Sequence, residues 1–161
     1  YKMPGCPPVA EQIWAVCETI LAGKLPPKGS LIGVNPKTVC DECPRTKEEK
    51  KVKHFRRPHL VNPKDISPDK CLLEQGLICN GPAIHAGCKA LCPQVNLGCR
   101  GCYGPADGIL DVGAKLAGSI ASIIDSDDPN EIDAVVNEIL DPVGTFYRFG
   151  LASSLTGRRL R

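Results

Sequence analysis

Cysteine is the residue type in this sequence whose number and spacing point to chemistry. The 161-residue chain contains ten cysteines, and nine of them lie in short motifs rich in glycine and proline. Cys40 and Cys43 form a C-x2-C clip, in which two thiolates from one turn can face the same metal. The nine cysteines of these motifs are Cys6, Cys40, Cys43, Cys71, Cys79, Cys88, Cys92, Cys99 and Cys102. Because a cubane iron–sulfur cluster is held by four thiolates, the pattern predicts a cluster-binding protein.

Glycines beside the candidate ligands support this interpretation. The sulfur atoms of a cluster accept hydrogen bonds from backbone N–H groups, and glycine lets the backbone approach closely. Four glycines flank the later cysteines, namely Gly87, Gly98, Gly101 and Gly104. The Cys92-Pro93 pair is also typical of the Cys-Pro that closes bacterial ferredoxin motifs.

Other uses of so many cysteines remain open as alternatives. A disulfide framework is typical of secreted chains, and the spacing here does not favour it. A structural zinc on Cys40 and Cys43 with a second pair would give a zinc-stabilised interaction module, but would leave the remaining loops without a purpose. A two-cluster bacterial ferredoxin needs C-x2-C-x2-C-x3-C-P, whereas here C-x3-C-P precedes C-x2-C. A stand-alone ferredoxin-like electron carrier remains open as a further alternative.

The first and the tenth cysteine differ from the rest. Cys6 lies in the rigid stretch Pro4-Gly5-Cys6-Pro7-Pro8 before a predicted helix, whose dipole favours a thiolate at that end. The chain supplies no three partners that would complete a cluster with it. Cys17 lies four residues after Ile13 on the apolar side of the predicted helix, so we expect a buried structural thiol.

Composition limits the classes of partner. The formal net charge of +2 and the 4% aromatic content argue against a nucleic-acid surface. No apolar run of 18 residues suggests a membrane span. Basic residues predominate between Arg45 and Arg57, among them Lys47, Lys50, Lys51 and Lys53. Such a stretch fits contact with a partner, and it fits an ordinary solvated surface equally well.

The elements that must position the cysteines are short. Periodicity predicts a helix over 7–22, an apolar helical stripe over 109–124 and a second helix that starts at Asp127-Asp128-Pro129. Residues 71–105 hold six cysteines, six glycines and three prolines, which predicts short helical turns joined by tight loops. The expected fold class is therefore mostly α with extensive irregular loops.

Five motifs in order carry a resemblance to a known family. They are Pro4-Gly5-Cys6-Pro7-Pro8, Val39-Cys40-Asp41-Glu42-Cys43-Pro44-Arg45, Cys71-Leu72-Leu73-Glu74-Gln75-Gly76, Cys79-Asn80-Gly81-Pro82 and Cys99-Arg100-Gly101-Cys102-Tyr103-Gly104-Pro105. From residue 1 to about 125, the chain resembles the C-terminal iron–sulfur part of the small subunit of nickel–iron hydrogenases. Within that family it is most similar to the methyl-viologen-reducing, deazaflavin-non-reducing type of methanogenic archaea.

The resemblance implies three 4Fe-4S clusters in a line. Cys6 matches the last ligand of the proximal cluster, whose other ligands lie outside these residues. The medial cluster is implied to be held by Cys40, Cys43, Cys71 and Cys79. The distal cluster is implied to be held by Cys88, Cys92, Cys99 and Cys102. Some members of the family have a proline near Cys92 and hold a three-iron cluster there, so a cysteine implies a fourth iron.

The resemblance also implies a domain plan and partners. Residues 1–35 would be the end of a flavodoxin-like α/β domain that is otherwise missing, 36–107 the iron–sulfur domain, and 108–161 a helical extension that packs on another subunit. We expect a cytoplasmic hydrogenase subunit with no nucleic-acid or membrane partner. Electrons would come from a nickel–iron large subunit and leave to a partner such as a heterodisulfide reductase complex.

Overall fold

Short helices and one small sheet, joined by long irregular segments, form the part of the chain that the computed structural model describes, residues 1–48 and 51–155. Lys50 and the Arg-Arg-Leu-Arg end lie outside these ranges. The α-helices are α1 Ala10–Leu21, α2 Val39–Glu42, α3 Leu91–Gln94, α4 Val112–Ala121, α5 Pro129–Asn137 and α6 Pro142–Phe146. The strands are β1 Asn35–Thr38 and β2 His85–Ala86. None of the helices among the described residues is long and apolar enough to cross a membrane.

The cysteine-rich region is built from single turns, as its glycine and proline content predicts. Besides α3 it contains two 3-10 turns, Leu73–Gln75 and Gly81–Ala83. Three further 3-10 turns follow the same pattern elsewhere, at Pro58–Leu60, Pro63–Asp65 and Leu151–Ser153. The coarse fold class, helical turns with extensive irregular loops, is therefore confirmed.

The two-stranded sheet is a feature that the sequence did not predict. Strands β1 and β2 pair antiparallel, with Asn35 opposite Ala86 and Thr38 opposite His85, and the register shifts between these pairs. Neither strand is long enough to show an alternating pattern. The sheet matters for the cysteines because β1 leads directly into α2 and β2 ends just before Cys88.

Helix α1 is shorter and more exposed than expected. It begins at Ala10 after an extended Val9. Pro7, which the prediction placed inside the helix, is followed by Pro8, and a residue before proline disfavours the helical conformation. Only Gln12 and Val16 of this helix are buried, while Trp14 is 65% exposed. Cys17 is also exposed, so the prediction of a buried thiol is wrong. The helix contacts the rest of the chain along its Gln12–Val16 side, and Cys17 faces away from it.

The core lies between α4 and the cysteine-bearing loops. Leu116 and Ile120 of α4 are buried in one cluster with Leu72, Leu77 and Ile84 from the loops. The α4 part of the predicted apolar stripe is thus covered by the chain itself. Further along, Val136, Leu140 and Val143 are exposed. The domain plan inferred from the resemblance stays a prediction.

Aspartates start the helices of the C-terminal region. Asp128 accepts a hydrogen bond from the Asn130 N–H, and α5 begins at Pro129, which confirms the predicted helix start. Asp111 caps α4, and its carboxylate also accepts hydrogen bonds from the Tyr147 hydroxyl and the Leu155 N–H. Asp111 therefore joins α4 to the last described turn of the chain.

Candidate iron–sulfur cluster sites

Four cysteines from three separate segments surround one cavity. Cys40, Cys43, Cys71 and Cys79, here called the first cysteine set, line a cavity of about 270 Å³. Cys40 interacts electrostatically with the other three, so the four thiols are neighbours. The fold therefore brings together the four residues that the sequence grouped. One cavity with four inward thiols is the arrangement that a cubane cluster requires.

Helix α2 fixes the clip at one side of this cavity. Thr38 and Asp41 form a capping box, with the Thr38 N–H donating to Asp41 Oδ2 at 2.7 Å. The Val39 N–H donates to the Ile84 carbonyl at 2.9 Å, which ties the helix to the loop before β2. Cys40 lies in this single turn and Cys43 at its C-terminal end.

Cys88, Cys92, Cys99 and Cys102 form a second cysteine set. Cys99 interacts electrostatically with Cys88 and Cys102, and Cys102 interacts with Cys92. The loop before α3 has left-handed backbone at Lys89 and Ala90, with φ of 56° and 51°. Cys88 immediately precedes these two residues.

Glu42 holds that loop in place and was not singled out by the sequence. Its carboxylate accepts hydrogen bonds from the Gly87 N–H at 2.9 Å and the Ala90 N–H at 3.1 Å, and the Cys88 thiol lies 3.5 Å away. Glu42 therefore links α2, which carries the first clip, to the loop of the second set. Its position between Cys40 and Cys43 was the only available signal.

Backbone N–H groups point at the cysteine sulfurs, as the flanking glycines predict. The N–H groups of Gly81 and Cys99 donate to Cys79, and the Gly101 N–H donates to Cys99. A Cβ on Gly81 would lie 3.2 Å from Cys40 Sγ and 3.4 Å from Cys79 Sγ. Glycine at this position thus leaves room beside two thiols of the first set.

Burial disfavours the thiolate form of several of these cysteines in the absence of a positive partner. Burial raises the pKa of Cys40 to about 12 and the pKa of Cys88 to about 11. It also raises the pKa of Cys79 and Cys99. Cluster iron supplies the positive charge that a buried thiolate needs, so the donor set fits an iron–sulfur cluster.

Arg45 provides an independent test of that fit. It is 7% exposed and lines the cavity of the first set. Its guanidinium donates to three backbone carbonyls and one side-chain amide, those of Pro93, Ser67, Lys70 and Asn96. Within the described residues it has no carboxylate partner, and a buried charge of this kind is costly unless an opposite charge lies nearby. A cluster bound by four thiolates carries negative charge, which would balance the positive charge of Arg45.

The position of Arg45 also separates it from the rest of the basic stretch. We expected residues 45–57 to form one surface, facing either a partner or solvent. Lys47, Lys53 and Arg56 are exposed, whereas Arg45 is buried. Lys47 nevertheless also lines the cavity of the first set and interacts electrostatically with Cys40. Arg45 belongs to one of the motifs that carry the family resemblance, but its burial could not be inferred from the sequence.

The two cysteine sets share a wall. The Cys99 N–H donates to Cys79 Sγ at 3.1 Å, and the Asn80 N–H donates to the Cys99 carbonyl at 2.9 Å. A residue of the second set is therefore hydrogen-bonded directly to a ligand candidate of the first set. This contact would bring two bound clusters close together.

Cys6 lies beside the second set. Its backbone N–H donates to the Cys102 sulfur, and the two thiols interact electrostatically. Cys6 itself is exposed. If Cys6 marks the proximal cluster, its nearest neighbour is the set for which the resemblance implied the distal position. The geometry thus favours the reverse order of the two sets.

The histidines contact groups other than cysteine. His85 is buried, and its ring nitrogens lie 3.1 Å from the Asn35 carbonyl and 3.6 Å from Asp107 Oδ1. His54 pairs with Glu138 at 3.0 Å. Across residues 1–48 and 51–155, no three His, Cys, Asp or Glu side chains are grouped so that they could hold a single metal ion. A cubane differs in spreading its four ligands over four irons.

Comparison with known proteins gives a consistent set of relatives. No protein-family model matches the chain. The chain is 39% identical over 161 residues to a subunit of the F420-non-reducing hydrogenase vhu of Methanococcus voltae, covering 99% of this chain and 49% of that protein. It is 36% identical over 165 residues to the iron–sulfur subunit of the F420-non-reducing hydrogenase of Archaeoglobus profundus, covering 99% of this chain and 50% of that protein.

A third relative is covered more completely. The chain is 43% identical over 94 residues to the corresponding F420-non-reducing hydrogenase subunit of Methanothermus fervidus, which covers 57% of this chain and 74% of that protein. The chain spans about half the length of the first two relatives.

Proposed function

Since the chain belongs to the family of iron–sulfur subunits of F420-non-reducing hydrogenases, we propose that it carries electrons through iron–sulfur clusters of a hydrogenase. The first and second cysteine sets each bind one 4Fe-4S cluster. Cys6 is one ligand of a third cluster, which residues outside this chain complete. The observation that supports this most strongly is the cavity lined by four cysteines. The buried guanidinium of Arg45 lies beside it and has no carboxylate partner within the described residues.

The bound clusters supply one-electron transfer chemistry, and the chain's own residues position and tune them. The N–H groups of Gly81, Cys99 and Gly101 donate to cysteine sulfurs and so favour the more negative, reduced state. Leu72 and Ile84 in the adjoining core keep water from the sites. Arg45 balances negative charge in the first set, and Glu42 fixes Cys88 in the second.

The contacts between the sites suggest a path. Cys6 touches the second set at Cys102, and the second set touches the first through the Cys99–Cys79 hydrogen bond. We therefore place the second set in the middle and the first set at the outer end, which revises the order implied by the resemblance. Hydrogen would be oxidised on a nickel–iron large subunit, and the acceptor would be a cytoplasmic partner such as a heterodisulfide reductase complex.

The alternatives are a stand-alone ferredoxin-like carrier and a zinc-stabilised module. The test is iron, acid-labile sulfide and zinc analysis of the full-length protein purified without oxygen, together with any subunits that co-purify. We expect about four irons and four sulfides for each set of four cysteines. Zinc without sulfide would overturn the proposal in favour of the module. Clusters in a monomer without a nickel-containing partner would favour the carrier.

Substitutions assign each cluster to its cysteines. Replacing Cys92 with proline should convert the second-set cluster into a three-iron form, detected by electron paramagnetic resonance of the oxidised protein. The double variant Cys40→Ala with Cys71→Ala is the matched control, because it should remove the first-set signal of the reduced protein and leave the second-set signal unchanged. An unaltered spectrum of the Cys92→Pro variant would contradict the assignment of the second set.

A further inference from the structure

A second large cavity lies on the surface, separate from the cavity of the first cysteine set. Its volume is about 410 Å³. Three stretches of the chain, within residues 55–59, 97–100 and 138–148, supply most of the lining, and Ile78 and Asn80 complete it. Arg57, Arg100 and Arg148 come from these three stretches, and we call the cavity the arginine cleft. Cys99 of the second cysteine set forms part of its wall.

The three arginines have no partner among the residues that the structure describes. Each is exposed, and none of their guanidinium groups makes a hydrogen bond or an ion pair within residues 1–48 and 51–155. Arg56 in the same cleft differs, because it donates to the Gln75 carbonyl at 2.8 Å. Guanidinium groups left free around one cavity form a binding site for carboxylates or phosphates.

Two carboxylates of the cleft are already used by the chain itself. Glu138 accepts hydrogen bonds from the Phe55 N–H and pairs with His54, and Asp141 accepts from the Gly144 N–H. These acids would repel a polyphosphate, which concentrates several negative charges in a small volume. A polypeptide segment with separate carboxylates avoids that repulsion.

Apolar side chains beside the arginines favour a protein as well. Leu97 is 42% exposed and Leu140 is 63% exposed, and both line the cleft. Arginine together with exposed apolar groups is the composition of protein interfaces, in which arginines and large apolar anchors carry most of the binding energy. The mixed lining therefore matches a segment that is both acidic and apolar.

We propose that the arginine cleft binds an acidic, partly apolar segment of a partner subunit. The segment covers the cleft wall formed by Cys99, and its carboxylates pair with Arg57, Arg100 and Arg148. The proposal rests on the proposed function only in taking the partner from the same hydrogenase assembly. It makes no use of the order of the clusters.

Cross-linking in the assembled complex tests the occupant. Leu97 is replaced by benzoylphenylalanine in the full-length subunit, the complex is purified and irradiated, and the linked peptide is identified by mass spectrometry. We expect a peptide from another subunit that is rich in Asp or Glu. The control position is Leu110, which is 77% exposed and outside the cleft, and which should not link to that peptide.

A peptide without acidic residues, or links only within the same chain, would overturn the proposal. Protection of the three arginines from phenylglyoxal by inorganic pyrophosphate, without any cross-link to another subunit, would assign the cleft to a small anion instead. Iron and sulfide are measured on the same samples, so that a failure of the proposed function is seen separately from a failure of the cleft.

Charge removal provides the second test. The triple variant Arg57→Ala, Arg100→Ala, Arg148→Ala should bind the partner about tenfold more weakly, because three interfacial ion pairs are lost. The loss should become smaller as salt concentration rises. The matched control replaces by alanine three exposed lysines that do not line the cleft, Lys24, Lys28 and Lys37. Equal weakening in both triple variants would show a general charge effect and contradict a specific cleft.

Discussion

Arg45 has one role that the structure shows, in the fold, and a second that we propose, beside the first-set cluster. Its guanidinium reaches across to carbonyl groups at Ser67, Lys70 and Pro93, and so joins three loops around the first cysteine set. The same group places a positive charge on the wall of the cavity. A positive charge close to a cluster stabilises its reduced form and raises its potential.

The Arg45→Met variant tests both roles of Arg45, namely its hydrogen bonds to the loops and its positive charge at the first cysteine set. We expect a loss of about 2–3 kcal/mol in the free energy of unfolding, since buried acceptors lose a charged donor. The first-set cluster that remains should have a lower potential, measured by a redox titration followed by electron paramagnetic resonance. Arg56→Met is the control, because Arg56 is exposed and its guanidinium donates to the Gln75 carbonyl. An unchanged first-set potential in Arg45→Met would contradict the electrostatic role.

Gly81 is a residue whose missing side chain matters. The Gly81→Ala variant places a methyl group 3.2 Å from Cys40 Sγ and 3.4 Å from Cys79 Sγ, and sulfurs fixed by iron cannot move away. We expect loss of the first-set cluster signal and an intact second-set signal in electron paramagnetic resonance. Gly118→Ala is the matched control in α4, where a Cβ meets nothing within 4 Å. That change should stabilise the protein by about 0.5–1 kcal/mol, and equal cluster loss in both variants would refute the steric argument.

At the scale of elements, α4 is held by more than its own packing. Asp111 Oδ1 accepts from the Ala114 N–H at 2.8 Å and the Tyr147 hydroxyl at 2.7 Å. Partial burial acts to raise the pKa of Asp111, but these hydrogen bonds and the one from the Leu155 N–H outweigh it and lower the pKa below its ordinary value. A lowered pKa in the folded state means that the stabilisation is complete at neutral pH and is lost as pH falls through the acidic range.

Two helix caps on the same chain should therefore differ in their contribution. The Asp111→Ala substitution should lower the free energy of unfolding by about 2–4 kcal/mol at pH 7, because a helix cap and two further hydrogen bonds to the carboxylate disappear. The Asp128→Ala variant removes a more exposed cap and should lose only about 1 kcal/mol. Urea unfolding of the two variants without oxygen measures both values. Equal losses would show that the Tyr147 and Leu155 contacts of Asp111 contribute nothing.

The elements that could be predicted from the sequence are those governed by local rules. Asp128-Pro129 carries its own helix-start signal, and the glycines and prolines of 71–105 exclude any long element. Strands β1 and β2 escaped prediction because their pairing joins positions about 50 residues apart and follows no local pattern. The exposure of Cys17 could not be predicted for a related reason. The apolar pattern of α1 does not determine which of its residues are buried by the rest of the chain.

At the candidate sites, the family resemblance implied which cysteines belong together, and it also implied an order of the two sets that the contacts do not favour. The C-x2-C clips and the family motifs indicated which four residues belong together, and the fold brings them together. Their relative positions depend on where the loop of Cys6 crosses the loop of Cys102, which is a tertiary contact. The roles of Glu42 and Arg45 are likewise set by loops that the sequence places far apart.

At the scale of the whole molecule, the contacts form a row from Cys6 through the second set to the first. Electron tunnelling weakens steeply with distance, so the order of contacts should determine the order of reduction. This leads to opposite expectations for two double variants of the full-length subunit in its complex, Cys88→Ala with Cys99→Ala and Cys40→Ala with Cys71→Ala.

Without the second-set cluster, the first-set cluster should stay oxidised under hydrogen, although dithionite should still reduce it because it remains assembled. Without the first-set cluster, the second-set cluster should be reduced by hydrogen as fast as in the unmodified complex. Freeze-quenched samples examined by electron paramagnetic resonance measure both reactions. The reverse result, in which the first set is reduced normally and the second set depends on it, would restore the order implied by the family resemblance. The Cys6 backbone N–H lies beside the Cys102 sulfur, and the Cys99 N–H donates to Cys79 Sγ at 3.1 Å. These two contacts are the physical reason to expect the second set in the middle.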